Sequence, residues 1–295
     1  MKNSIPVLIF RSMRPKQWTK NLILFAPLLF SQNINHSPYV IKSLLAFFVF
    51  CMLSGCVYIL NDLIDLNQDK VHPIKCKRPM ASGLLKPAYA VAVLLILIVV
   101  LIGSSFFLLN TSFFAVAAGY FLLQIAYSLV LKHIVIIDVF SIAAGFLLRV
   151  IAGALAIEVF FSNWLFFCTI LLSLFLALSK RRNEIILLDE KAIRHRKILF
   201  EYSADLLDQM ISIVSTTTVI AYILYTVAPE TVTKFKTDNL KYTVPFVLYG
   251  IFRYLYLMHQ KNEGGSPEKV LLNDRPILVT VILYCLTVCY ILYTA

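Results

Sequence analysis

Four oxygen-bearing side chains close the second long apolar run of the chain: Asn61, Asp62, Asp65 and Asp69, in the stretch NDLIDLNQD at 61–69. The run before them, LLAFFVFCMLSGCVYIL at 44–60, is almost pure hydrocarbon. If its helix continues through residue 69, Asn61, Asp65 and Asp69 fall at i, i+4 and i+8. Asp62 joins Asp65 and Asp69 at i+3 and i+7, which puts the oxygens on one face. Tyr58 lies one turn earlier on the same side. Three carboxylates this close repel one another at low dielectric unless a cation sits among them. Hard oxygen ligands with positions to spare suit Mg2+, which keeps water and shares its shell with substrate phosphates. The competing reading is a solvated acidic helix end beside basic loops. Ionisable groups near a bundle interior are costly, which favours the metal.

The elements that must carry these residues are membrane helices. Of 295 residues, 60% are hydrophobic and only 15% are charged, far too few charges for the surface of a soluble domain. The pattern predicts an all-α polytopic membrane protein, a single transmembrane domain over 1–295. Nine spans are expected, with cores at 21–34, 39–60, 87–108, 112–131, 134–157, 162–179, 211–228, 243–259 and 276–294. Pro27 predicts a kink or an irregular entry in the first. The net charge of +11 collects on one side, in 1–20, 61–86, 132–133, 180–210 and 260–275; the opposite side carries only Lys42, Lys234, Lys236 and Lys241. The basic side should face the cytoplasm, in a multi-pass protein of the inner (plasma) membrane. The long polar loops after spans 2 and 6 lie four spans apart, a hint of a duplicated four-helix unit. The six cysteines form no CxxC pair and read as small apolar fillers. No short apolar segment with a small-residue cleavage site opens the chain, so no removable signal is expected.

NDLIDLNQD resembles the NDxxDxxxD pattern of the UbiA superfamily of intramembrane prenyltransferases. That resemblance implies a nine-helix bundle around a lipid-open cavity with its polar mouth on the cytoplasmic side. The family carries a second acidic motif, of DxxxD type, after helix 6. Here that place reads LALSKRRNEIILLDEK at 176–191, with Lys180, Arg181 and Arg182 ahead of Glu184. In this respect the chain resembles one branch, the decaprenyl-phosphate phosphoribosyltransferases. The stretches RPKQWTKNLILFAPL at 14–28, NDLIDLNQDKVHPIKCKRPMASG at 61–83, AYSLVLKHIVIIDVF at 126–140, FLLRVIAGA at 146–154 and LALSKRRNE at 176–184 carry that likeness.

The branch implies transfer of phosphoribose from phosphoribosyl pyrophosphate to a polyprenyl phosphate. Three phosphate-bearing groups then need more positive charge than one Mg2+ supplies, and Lys and Arg must share the work. Asn61 and Asp65 are expected to hold the metal, with Asp62 and Asp69 as direct or water-mediated partners. Lys16, Lys75 and Arg78 flank the acidic motif and are expected on substrate phosphate. Tyr127 and Lys132 resemble the family's YxxxK element with one residue more between them. Lys180, Arg181 and Arg182 are expected on the 5-phosphate or the lipid phosphate. Asp138 and Arg149 are 11 residues apart on nearly one face of span 5. Arg149 can meet either a neighbouring helix or a phosphate. No nucleic-acid partner is expected, and the oligomeric state is left open. An ordinary prenyltransferase, moving a polyprenyl group from its diphosphate to an aromatic or other acceptor, shares the fold and the Mg2+. An anion or metal transporter is a third reading, which the concentration of chemistry on one face disfavours.

Overall fold

The structure, a computed structural model, describes residues 4–71, 73, 75–187, 201–261, 263–265 and 267–294. Residues 188–200 of the expected second polar loop, with Lys191, Arg194, Arg196 and Lys197, lie outside them. All regular elements among the described residues are helical. The long ones are α1 (Ile5–Ser12), α2 (Ser37–Ile64), α3 (Pro87–Leu108), α4 (Thr111–Leu129), α5 (Ile137–Ala156), α6 (Asn163–Leu187), α7 (Ala204–Val227), α8 (Val244–Gln260) and α9 (Arg275–Thr294). Prolines open α1, α2, α3 and α8 in the first turn, where a missing N–H costs nothing and the fixed φ suits the helix.

Among the described residues seven helices, α2 to α7 and α9, are long and apolar enough to cross a membrane. The expected first and eighth spans differ from these. The first is a 3-10 stretch, Pro15–Phe25, followed by the short helix Ala26–Phe30. At 3-10 and α rises the two together cover about 30 Å, the thickness of a hydrocarbon core. The stretch runs antiparallel along α2. Arg14 meets Asp62, Asn21 meets Ser54 and Cys51, and Phe25 stacks on Phe47 at 5.5 Å. The eighth, α8, has 17 residues, or about 26 Å.

The chain divides into two compact units. The first comprises Met1–Leu129 and Leu148–Phe160, the second Val130–Leu147 and Phe161–Ala295. In the first, Phe50 packs edge-on against Phe113 at 5.8 Å and at a tilt against Tyr120 at 5.2 Å, within a core that takes in Leu8, Leu24, Ile59 and Ala152. Close approach of the 3-10 stretch needs Gly153, where an added Cβ would stand 2.3 Å from the Leu24 carbonyl oxygen. In the second unit α6 and α7 lie along one another, and Phe175, Leu207, Ile211, Tyr254 and Met258 form the core. Outward faces are apolar too: on α3, Leu95, Ile96, Val99 and Phe107 are exposed, a surface suited to lipid.

Candidate functional site

The Asn–Asp stretch does not continue as one straight helix. α2 ends at Ile64, Asp65 leaves helical geometry at φ −90° and ψ 9°, and a short helix resumes at Leu66–Val71. The i+4 ladder survives the break. The Asp65 N–H donates to the Asn61 carbonyl and the Asp69 N–H to the Asp65 carbonyl, each at 2.9 Å. The four oxygen-bearing residues therefore stay on successive turns at one end of α2, as their spacing predicts.

Asp62 and Asp69 are both buried. Two buried carboxylates are tolerable only when paired, and three cations pair them. Arg78 bridges the two: its Nη1 lies 3.1 Å from Asp62 Oδ1 and also contacts Asp69 Oδ2. Arg14 donates to Asp62 Oδ1 while its guanidinium sits 4.8 Å over the Tyr58 ring. Lys75 Nζ is 3.9 Å from Asp69 Oδ1. Burial, with the Arg78 guanidinium next in effect, holds the Lys75 ammonium below the usual lysine range. Asn61 hydrogen-bonds the Ser128 hydroxyl of α4, and Asp65 is half-buried beside it.

Among the described residues no three His, Cys, Asp or Glu side chains close around one point. The donor chemistry nevertheless fits Mg2+. Oxygens of two buried carboxylates converge on a single cationic nitrogen, Arg78 Nη1. An ion that keeps waters and substrate oxygens needs few protein ligands.

Arg14 is the residue that the spacing argument missed. It reads as one of many bases on the basic side, whereas Lys16, the expected phosphate contact, is an exposed residue of the 3-10 stretch. The signal that marks Arg14 is its proline. It stands before Pro15 at φ 53°, a left-handed conformation that is uncommon for a non-glycine residue.

Arg149 meets a neighbouring helix and the 3-10 stretch. Buried, it donates from Nε to Asn21 Oδ1 and from Nη2 to the Tyr120 hydroxyl, each at 2.7 Å. Ser54 joins Asn21 at 3.4 Å. Ser54 lies two turns along α2 from Asp62, about 12 Å, so this network ties down the segment whose other end carries Arg14. Asp138 does not share its surroundings, despite the common face; it pairs with Arg181.

In the second unit the three consecutive bases point to three sets of partners. Arg181, fully buried, donates from Nε to Asp138 Oδ2 at 2.6 Å and contacts Glu184 through Nη1. Arg182 holds Asp208, with Nη2–Oδ2 at 3.1 Å, and meets His259 Nδ1 at 3.0 Å. Lys180 Nζ is 3.9 Å from Glu184 and is the most exposed of the three. Tyr127 of the first unit and Lys132 of the second are half-buried. All six cysteines are free thiols.

A family model described as the UbiA prenyltransferase family matches residues 22–273. The chain is 32% identical over 292 residues to a decaprenyl-phosphate phosphoribosyltransferase of Corynebacterium glutamicum, covering 97% of this chain and 86% of the relative. It is 30% identical over 289 residues to a protein of the same description from Mycolicibacterium smegmatis, with 94% and 90% covered. Among solved structures, a UbiA homolog from Archaeoglobus fulgidus bound to GPP and Mg2+ superposes with a TM-score of 0.72 at 17% identity, over 97% of this chain and 99% of that one.

Proposed function

The chain belongs to the UbiA prenyltransferase family and is a membrane-embedded transferase, and from that premise we propose that it moves 5-phosphoribose from phosphoribosyl pyrophosphate to a polyprenyl phosphate, releasing pyrophosphate. The relatives of that description cover nearly the whole chain. The observation that carries the reading is the mixed charge at the end of α2: two buried carboxylates bracketed by Arg14, Lys75 and Arg78. A site for a metal–pyrophosphate needs both signs of charge within one cluster.

In this reading Asn61 and Asp65 would hold Mg2+, with Asp62 and Asp69 as direct or water-mediated partners. When bound, the ion neutralises pyrophosphate oxygens and makes them a better leaving group. Arg14 and Arg78 supply forked donors to the same oxygens and Lys75 a point charge. The bond from ribose C1 to the pyrophosphate oxygen breaks, and C1 bonds an oxygen of the lipid phosphate. That phosphate is already ionised, so no side chain has to remove a proton. Lys132 takes an anionic substrate group, and Tyr127 is a substrate contact of its own unit. In the 180–182 stretch the direct contact falls to Lys180, the most exposed of the three, while Arg181 and Arg182, buried against Asp138, Glu184 and Asp208, set the position of α6. The basic side of the chain faces the cytoplasm of the inner membrane, where the soluble donor is available.

Donor choice tests the proposal. Purified protein with Mg2+ and polyprenyl phosphate, offered phosphoribosyl pyrophosphate labelled in the ribose, should place label in the lipid fraction. Failure to do so, with consumption of polyprenyl diphosphate when an aromatic acceptor is present, would replace it with ordinary prenyl transfer.

A further inference from the structure

The chain from 130 to 138 is built around a strained residue. A 3-10 turn, Leu131–His133, holds Lys132, with His133 N–H to the Val130 carbonyl at 3.0 Å and Ile134 N–H to Leu131 at 3.2 Å. Then the Ile137 N–H donates back to the Val135 carbonyl at 2.8 Å, which makes Ile136 the centre of a γ-turn. Ile136 has φ 68°. A γ-turn with positive φ is the rare, strained kind, and a β-branched residue is the worst choice for it. Turns that need this geometry ordinarily use Gly or Asn. Core packing does not explain the isoleucine, since its side chain is 42% exposed.

Strain of this sort persists only where the surroundings over-determine it, and here they do. The Ile136 N–H donates to the Tyr202 hydroxyl at 2.6 Å. That hydroxyl donates in turn to Asp138 Oδ1 at 2.8 Å. Asp138 Oδ2 accepts from Arg181 Nε at 2.6 Å. Tyr202, Asp138 and Arg181 are all buried. Burial pushes the Tyr202 phenol up to about 12, with the Ile136 N–H opposing that rise and the Asp138 carboxylate adding to it, so it keeps its proton and donates. One hydroxyl thus joins the residues before α7, the start of α5 and, through Asp138, the end of α6.

We infer that Tyr202, backed by Asp138 and Arg181, is a latch that holds the strained turn before α5 and so fixes Lys132 for an anionic substrate group. The assignment to substrate rests on the proposed reading of Lys132. Lys132 is four residues from Ile136 across two short hydrogen-bonded turns, so a change of φ at 136 swings it relative to α5. Tyr202 is a positioning residue: its hydroxyl is spent on the backbone and on Asp138.

Tyr202→Phe removes one oxygen and keeps the ring in its packing. Hydrogen exchange over 130–138 should quicken. KM for the substrate that Lys132 contacts should rise roughly ten-fold, with kcat within about two-fold of wild type. Ile136→Gly in the Tyr202→Phe background should recover most of that KM, because glycine holds positive φ without a latch. A merely structural tyrosine would lower thermal stability without the split between KM and kcat, and glycine would not rescue it. Unchanged exchange in Tyr202→Phe overturns the latch. So does faster exchange with unchanged KM where Lys132→Gln raises KM. If Lys132→Gln itself leaves KM unaltered, the reading of Lys132 as an anion contact has failed, and exchange alone decides the latch.

Discussion

At the scale of single residues, the end of α2 sets two buried carboxylates, Asp62 and Asp69, against the bases Arg14, Lys75 and Arg78. Asn61, Asp62, Asp65 and Asp69 stand out because carboxylates at the end of an apolar helix are expensive. Arg14 does not, because a basic loop beside a membrane span is ordinary; only the folded chain brings its guanidinium to Asp62. Arg78 is the most exacting of the set, since one nitrogen serves both Asp62 and Asp69. Arg78→Lys keeps the charge and loses the planar fork. It should lower kcat/KM by about 10- to 100-fold, or 1.5–3 kcal/mol, in steady-state assays on protein of unchanged melting temperature. Wild-type kinetics would reduce Arg78 to a neutralising charge. Asp65→Ala should abolish turnover, because a metal site that loses a carboxylate seldom recovers its geometry. Near-normal turnover with an unaltered Mg2+ titration would remove Asp65 from the metal's surroundings.

Elements were legible wherever apolar runs are long. α3, α4, α5 and α9 fall within a few residues of their expected cores, and α6 runs on to Leu187, carrying Lys180 to Glu184 on helix instead of loop. The 3-10 stretch Pro15–Phe25 was not legible beyond the irregularity that Pro27 suggests. Its conformation is set by contacts along α2 and by the glycine of α5 beneath it. Gly153→Ala should therefore cost about 1–3 kcal/mol by overpacking, because the obstacle is the backbone oxygen of Leu24. Gly103→Ala on α3, with nothing within 4 Å, should be neutral or stabilising by up to about 1 kcal/mol. Equal melting temperatures for the two variants would contradict that packing. At the start of α9, Asp274 accepts from the Ile277 N–H at 2.9 Å and from Arg253 Nη2 at 2.9 Å. The Arg253 hydrogen bond holds its carboxyl below the usual carboxylate range. A depressed folded pKa gives stability that is intact above about pH 4 and is lost as pH falls through the lowered value. Asp274→Ala should cost about 1 kcal/mol at neutral pH, and the gap from wild type should close in acid.

At the scale of the whole molecule, charge and hydropathy give sidedness, which no single contact supplies. The expected nine crossings depend on the two segments that differ from the long helices, Pro15–Phe30 and α8. Each is near the thickness of a bilayer core by length, and each is flanked by polar residues, so parity decides the topology. Single cysteines at Lys16, Lys77, Lys236 and Lys261, all exposed positions, test both at once on a background with the six native cysteines replaced. Lys16 lies at the very start of Pro15–Phe30, and Lys77 lies beyond the end of α2. If both segments cross, a membrane-impermeant thiol reagent reaches both labels from the cytoplasm. Lys236 and Lys261 lie on either side of α8, so the first should react from outside and the second from the cytoplasm. Reaction of Lys16 from outside would mean that Pro15–Phe30 turns back within the bilayer, and would take Arg14 away from the side on which Asp62 and Asp69 are expected. Reaction of Lys236 and Lys261 from one side would make α8 re-entrant. It would also move Asp274 and the start of α9 to the opposite face, where the positive-inside bias does not place Lys269 and Arg275.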